Sequence, residues 1–167
     1  MAKNGVSIGE YDACRRRDSD ARLLEELQRL ERRIFPKHES LARSFEEELR
    51  KKNTGLIYAA ELVPGGRGRG EIVGYVMYTL ASSLCASVTK LAVKESWRRQ
   101  GQGEALLKAA IEKCRAKKIH CVSLHVDPAR TAALSLYQKL GFRIDVLIEG
   151  YYSSERHAYR MYLDFNR

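Results

Sequence analysis

No C-x-x-C pair, no zinc-finger spacing and no paired cysteine pattern occurs in this sequence of 167 residues, although it holds Cys14, Cys85, Cys114 and Cys121. A disulfide framework or a structural zinc site needs such spacing. The thiols are therefore expected to be reduced and buried, as in an intracellular protein, and metal dependence is not expected. No apolar run approaches the length of a membrane span. The opening Met1-Ala2-Lys3-Asn4-Gly5 lacks the apolar core of a secretory signal. The expected location is the cytoplasm, with the nucleus left open, and no membrane partner is expected. Acidic residues are in the minority: 30 Lys and Arg against 21 Asp and Glu give a formal charge of +9. That excess favours anionic ligands, among them nucleic acid, a phosphorylated cofactor or an acidic surface. The basic residues are scattered, however, at Arg15 to Arg17, Arg32-Arg33, Arg67 and Arg69, Arg98-Arg99 and Lys117-Lys118. They have no aromatic interleaving and no helix-turn-helix spacing, so nucleic acid is not expected as the main partner.

What is present fits one globular domain over residues 1–167, with 44% hydrophobic and 31% charged residues. A weak first strand falls within residues 5–13. Leu23, Leu24, Leu27, Leu30 and Ile34 recur at helical spacing after Asp18 or Ser19, and Phe35-Pro36 ends that helix. Leu41, Phe45 and Leu49 mark a second helix starting near Ser40 and stopping before Gly55. Strands are expected over Leu56 to Val63, Glu71 to Tyr78 and Ser87 to Val93. The first two are joined by the glycine- and arginine-rich link Pro64 to Gly70, expected to be mobile. A helix runs to about Lys117, followed by a strand (Cys121 to Val126), a helix (Thr131 to Leu140) and strands around Ile144 to Ile148 and Ala158 to Leu163. The order β-α-α-β-β-β-α-β-α-β-β implies an α/β fold. Its central sheet is mixed, with a parallel crossover around the third helix, antiparallel neighbours elsewhere and helices on its flanks.

Between the strand Ser87 to Val93 and the helix that follows it stands Arg98-Arg99-Gln100-Gly101-Gln102-Gly103. A glycine-rich turn at a helix N-terminus leaves backbone N–H groups pointing outward, which suits a pyrophosphate. The spacing Arg-x-x-Gly-x-Gly is neither the dinucleotide fingerprint nor the P-loop. Taken alone it is open between a phosphate cradle and an ordinary strand–helix connection.

A second block, Ala133-Leu134-Ser135-Leu136-Tyr137-Gln138-Lys139-Leu140-Gly141-Phe142, stands one helix and one strand further on. The two blocks, in this order and separation, resemble the GNAT superfamily of acyl-CoA-dependent N-acetyltransferases. The element order agrees from about residue 18 to the end. The resemblance implies acetyl-CoA as co-substrate. Leu91, Ala92 and Val93 would offer backbone hydrogen bonds to the pantetheine arm. Arg98, Arg99, Gln100, Gly101, Gln102 and Gly103 would cradle the pyrophosphate, mainly through N–H groups. The cofactor would slot between splayed strands ending at Val93 and Val126. Arg130 departs from the family pattern, which often has an asparagine there that contacts the cofactor; an arginine would contact a phosphate instead.

On the same grounds Tyr137 is the expected general acid for the departing thiolate, against the plain reading of a core tyrosine. An amine must lose a proton before it attacks a thioester, and His125 titrates in the right range. Leu124-His125-Val126 resembles a subset of protein N-terminal acetyltransferases in which this histidine helps deprotonate the amine. The alternative is a structural histidine, with His38, Glu39 and Glu61 as weaker candidates for the base. The tyrosine that such enzymes tend to carry on the preceding strand falls at or beside Ser87, so that pair is incomplete. Gly150-Tyr151-Tyr152 through Ala158-Tyr159-Arg160-Met161 is similar to the hairpin with which ribosome-linked N-terminal acetyltransferases hold a peptide. Tyr151 and Tyr152 are thus implied substrate contacts, with Phe35 and Pro36 on the opposing wall; the plain alternative is a sheet-capping hairpin.

The expected function is direct acetyl transfer from acetyl-CoA to a protein or peptide amine, first the N-terminal α-amine. Lysine or small-molecule amines are the nearest alternatives, and a non-catalytic acyl-CoA-binding module comes from a different class. The partners implied are a free-amine peptide or protein and, beyond it, the ribosome or an auxiliary subunit.

Overall fold

A computed structural model of the chain describes residues 5–12, 18–35, 45–65 and 68–166. The described elements run β1 (Val6–Tyr11), α1 (Asp18–Ile34), α2 (Phe45–Arg50), β2 (Thr54–Glu61), β3 (Ile72–Thr79), β4 (Cys85–Val93), α3 (Gln102–Ala116), β5 (Cys121–Val126), α4 (Thr131–Lys139), β6 (Arg143–Ser153) and β7 (Arg156–Asp164). The strands form one mixed sheet in the order β1-β2-β3-β4-β5-β7-β6. β4 and β5 are parallel, from Cys85↔Cys121 to Val88↔Leu124. The pairs β1–β2, β5–β7 and β6–β7 are antiparallel. The expected element order and the mixed sheet are both present. The weak first strand forms because it is an edge paired along its whole length with β2, where alternation matters less than the ladder.

The chain divides into two compact units, Met1–Tyr78 with Lys90–Ala110, and Thr79–Thr89 with Ile111–Arg167. In the first, Leu23, Leu27 and Leu30 of α1 join Phe45 and Leu49 of α2 over Leu56, Ala60, Ile72, Tyr75, Met77 and Ala92 of the strands. The helical spacing of the leucines puts them on one face, and that buried face is what makes α1 a helix here. α1 stops at Ile34, one residue before Phe35-Pro36. Pro36 itself, like His38, Glu39, Ser40 and Leu41, lies outside the described residues. Gly74 has a packing reason to be glycine: a Cβ there would stand 2.6 Å from the Ala92 carbonyl oxygen and 3.3 Å from the Val93 Cα. Arg69, in the expected mobile link, forms an ion pair with Glu26 at 2.5 Å.

In the second unit, β5 buries Val122, Leu124 and Val126 and turns Cys121, Ser123 and His125 to the other face. The expectation of buried thiols needs correcting there. Cys114 is buried, but Cys85 and Cys121, though free, are only half-buried. Both sit on the less covered face of their strands, directly opposite one another. β6 is longer than expected and ends the sheet, with Ile144, Val146 and Leu147 each more than 40% exposed. Its pairing with β7 slips twice. Asp145 is an extra residue between Ile144↔Met161 and Val146↔Arg160, and Glu149 through Tyr152 stand opposite His157 alone. Among the described residues no helix is long and apolar enough to cross a membrane.

Candidate active site

In the first unit the chain leaves β4 at Val93, and the Lys94 N–H donates to the Val73 carbonyl at 2.7 Å. A single 3-10 turn, Glu95–Trp97, follows. The Arg98 Nε donates to the Val93 carbonyl at 3.1 Å, and the Gln100 side-chain amide donates to the Ser96 carbonyl at 3.2 Å. These side chains thus brace their own turn. Arg99 (φ 61°) and Gly101 (φ 78°) are left-handed, which reverses the chain into α3. At Gly101 nothing lies within 4 Å of where a Cβ would be, so glycine is favoured by the backbone angle and leaves open space outside. The Ala105 N–H closes the first turn on the Gly101 carbonyl at 3.0 Å. The N–H groups of Gln102 and Gly103, at the open start of the helix, have no acceptor within it and carry the positive end of its dipole. The arrangement suits an anion approaching Arg99 to Gly103. Leu91 and Val93 are half-buried and flank Ala92, which is 2% exposed and part of the core.

Phe35 is the residue on which α1 ends. Its N–H donates to the Glu31 carbonyl at 3.0 Å, and its ring lies beneath the Lys90 ammonium, 4.0 Å from Nζ to the centroid.

In the second unit His125 projects from β5, and the Tyr151 ring stacks on it, 4.5 Å between centroids and 7° from parallel. Tyr152 meets Tyr151 edge-on at 4.8 Å. Two residues from sequence-distant strands meet where Gly150, at φ 67°, lies within the bulge of β6. Its N–H is held by His157 Nδ1 at 2.8 Å. Bulges re-aim side chains in this way. Burial lowers the His125 pKa, and the charge of Arg160, its partner across β7, lowers it further. The imidazole is therefore neutral and able to accept a proton at neutral pH.

Tyr137 on α4 is 9% exposed, with the Phe142 ring 6.1 Å away. Burial raises its pKa against the pull of Arg130, so the hydroxyl keeps its proton and can donate it. The Arg130 charge also acts on Tyr152, whose pKa burial and its neighbours Tyr151, Asp127 and Tyr137 push up to about 12. The sequence reading missed Asp127 and Arg156. Asp127 Oδ1 accepts the Ala129 N–H at 2.9 Å and Oδ2 accepts Arg156 Nε at 3.2 Å. The Arg156 guanidinium also lies 4.9 Å over the Tyr152 ring. An Asp-Pro pair directly after a strand was the available signal for a turn-fixing carboxylate. Nothing local foretold the arginine beyond the hairpin. Ser87, where a tyrosine was sought, instead faces Ser123, with 3.1 Å between hydroxyl oxygens.

The chain is 36% identical over 99 residues to the N-terminal acetyltransferase complex ARD1 subunit homolog of Dictyostelium discoideum, covering 57% of this chain and 49% of that protein. It is 34% identical over 104 residues to an N-alpha-acetyltransferase of Sulfurisphaera tokodaii, covering 55% and 62%. The chain thus spans about half to three fifths of the length of these curated relatives. The crystal structure of the ribosomal-protein-S18-alanine N-acetyltransferase of Escherichia coli shares the fold, with a TM-score of 0.75 at 21% identity over 95% of this chain and 93% of that one. The model of the acetyltransferase (GNAT) family matches residues 22–142, and the chain belongs to that family.

Proposed function

We propose that this protein transfers an acetyl group from acetyl-CoA directly to a protein or peptide amine, in the first place the N-terminal α-amine. The observation that carries the acceptor side is the neutral His125 stacked on Tyr151, itself abutted by Tyr152. Tyr151 is 47% exposed, which suits an extended peptide better than a small amine sealed in a closed pocket. The curated relatives named above, two N-terminal or N-alpha acetyltransferases, support the same reading.

Acetyl-CoA supplies a thioester carbonyl and a thiolate leaving group. In the first unit, the N–H groups from Arg99 to Gly103 bind its pyrophosphate, and the ends of β4 at Leu91 to Val93 receive the pantetheine. In the second, His125 accepts one proton from the ammonium form of the acceptor, leaving the nitrogen lone pair free to attack the carbonyl carbon. The C–N bond forms, the C–S bond breaks, and the Tyr137 hydroxyl protonates the departing sulfur; the nitrogen's second proton, lost as the amide forms, passes through solvent to restore that hydroxyl. Tyr151 and Tyr152 hold the peptide backbone, each with an apolar ring and a hydroxyl. The net charge of +9 fits recruitment to an acidic partner such as ribosomal RNA or an auxiliary subunit.

The test is acetyl-CoA turnover against free-amine peptides that differ in their first two residues, beside the same peptides with a blocked α-amine and an internal lysine. Turnover on α-amines is expected. Turnover only on internal lysines, or only on small amines, would replace the peptide N-terminus as acceptor. Tight acetyl-CoA binding with no turnover on any amine would leave a binding module.

A further inference from the structure

The second unit holds a cavity that has no part in the chemistry of His125 and Tyr137. Its volume is about 400 Å³, and it is lined by Cys85 of β4, Ser123 of β5, Asp145 of β6, and Arg160 and Tyr162 of β7. All five residues belong to that one unit. The cavity adjoins His125 through the ladder. Ser123 stands two residues before His125 on β5, so both side chains leave the same face of the sheet. On β7, Tyr162 is opposite Ser123 and Arg160 is opposite His125, and the Arg160 charge acts on the imidazole. Two residues of strand rise separate the cavity from His125 by roughly 7 Å. That is within reach of the side chain on the residue whose amine His125 deprotonates.

The lining decides what fits. Each of the five side chains ends in a group able to form hydrogen bonds. The two charges cancel: Arg160 donates through Nε at 2.9 Å and through a second nitrogen at 2.5 Å, both to the same oxygen, Oδ2 of Asp145. Among the described residues the other carboxylate oxygen and the remaining guanidinium N–H groups have no partner. The first β6 bulge permits this arrangement, because Asp145 is its extra residue and stands outside the ladder pairing. An acceptor and several donors side by side, next to the Ser123 and Tyr162 hydroxyls, match a group that both gives and takes a hydrogen bond. A cation would meet Arg160, and an anion would meet Asp145. An aliphatic group would strip water from polar groups and offer nothing in return.

We propose that this cavity is a specificity pocket for the first side chain of the acceptor peptide, selecting an uncharged hydrogen-bonding group, a carboxamide or a hydroxyl, over charged and aliphatic ones. This rests on the peptide-amine reading above and names the acceptor class within it. Asp145 and Arg160 determine the choice without touching the reacting atoms.

The experiment measures kcat/KM on peptides identical except for a first residue of Asn, Ser, Leu, Asp or Lys, with the unaltered protein and with Asp145→Asn. The readout is the ratio between peptides, which does not depend on how much of a variant is folded. In the unaltered protein the Asn and Ser peptides are expected to exceed the other three by roughly fivefold, the worth of about one net hydrogen bond. Asp145→Asn leaves the Arg160 charge uncompensated, so the Asp peptide should then pass the Asn peptide. Preference of the unaltered protein for the Leu, Asp or Lys peptide, or an Asp-to-Asn ratio unmoved by Asp145→Asn, would overturn the proposal. Amide chemical shifts separate this from failure of the peptide-amine reading. With each peptide titrated into the full chain, larger shifts at Ser123 and Arg160 for the Asn peptide than for the Leu peptide support the pocket even if no peptide is acetylated. Equal shifts, or none, overturn it.

Discussion

The two units are built from different material, which suits the two tasks proposed for them. The proposed donor side is one continuous stretch, Leu91 to Gly103, shaped by backbone angles, short side-chain braces and an open helix start. The proposed acceptor side is assembled from β5, α4, the β6 bulge and β7, and its ring contacts and the Arg156–Asp127 pair run side chain to side chain. A backbone site recognises what is constant, such as a pyrophosphate. A side-chain site can be retuned residue by residue, which is what a varying acceptor demands.

That contrast can be broken at its strongest point first. Tyr137→Phe should lower kcat by roughly a hundredfold or more, the usual worth of a positioned acid, while calorimetry finds acetyl-CoA affinity unchanged. Unchanged turnover would remove Tyr137 from the mechanism. Next, His125→Gln should cost about a hundredfold in kcat/KM and abolish the acidic limb of its pH profile. The sign of that limb is set by two lowering influences, burial and Arg160. In the unaltered protein the limb should fall below the ordinary imidazole value of about 6.5. Arg160→Gln removes one of the two influences, so the limb should move up and activity should fade earlier on acidification. A profile that keeps the wild-type limb in His125→Gln would assign the base elsewhere.

On the donor side, Gly74→Ala places a Cβ against the Ala92 carbonyl and should cost about 1–3 kcal/mol by thermal unfolding. The acetyl-CoA KM should rise and the peptide KM hold. The smallest effect sharpens the comparison from the other side. Gly150→Ala strains a left-handed residue by about 1 kcal/mol and should raise peptide KM a few-fold while sparing acetyl-CoA. If both Gly variants moved both KM values together, the division into donor and acceptor material would fall.

The same division explains what could be read in advance. Arg98 to Gly103 was legible because its chemistry lies in consecutive residues, and α1 was legible because its leucines repeat at helical spacing. His125 and Tyr137 were visible as residue types at family positions, but nothing local announced that Tyr151 would stack on His125. That contact depends on a slip in the β6–β7 ladder, and slips are set by long-range pairing rather than by propensity. The ion pair of the buried Glu31 with Lys90 was missed for a related reason: a glutamate among leucines reads as the solvated side of a helix until the partner strand is known. The spacing pointed Arg98 toward a phosphate but did not announce the bond from its Nε to the Val93 carbonyl, which exists because a short turn supplies its own acceptor.

The terminal strand β6 bears on how the protein behaves at high concentration. An edge with Ile144, Val146 and Leu147 exposed is a template on which a second molecule can add a strand. Asp145 interrupts it as the extra residue of the first bulge, held by Arg160 through Nε at 2.9 Å and a second nitrogen at 2.5 Å. The bulge twists the ladder and sets a charge among the apolar side chains. The acid in that bulge thus puts a charge where an added strand would have to pair, and the arginine that lowers the His125 pKa also holds that acid in place.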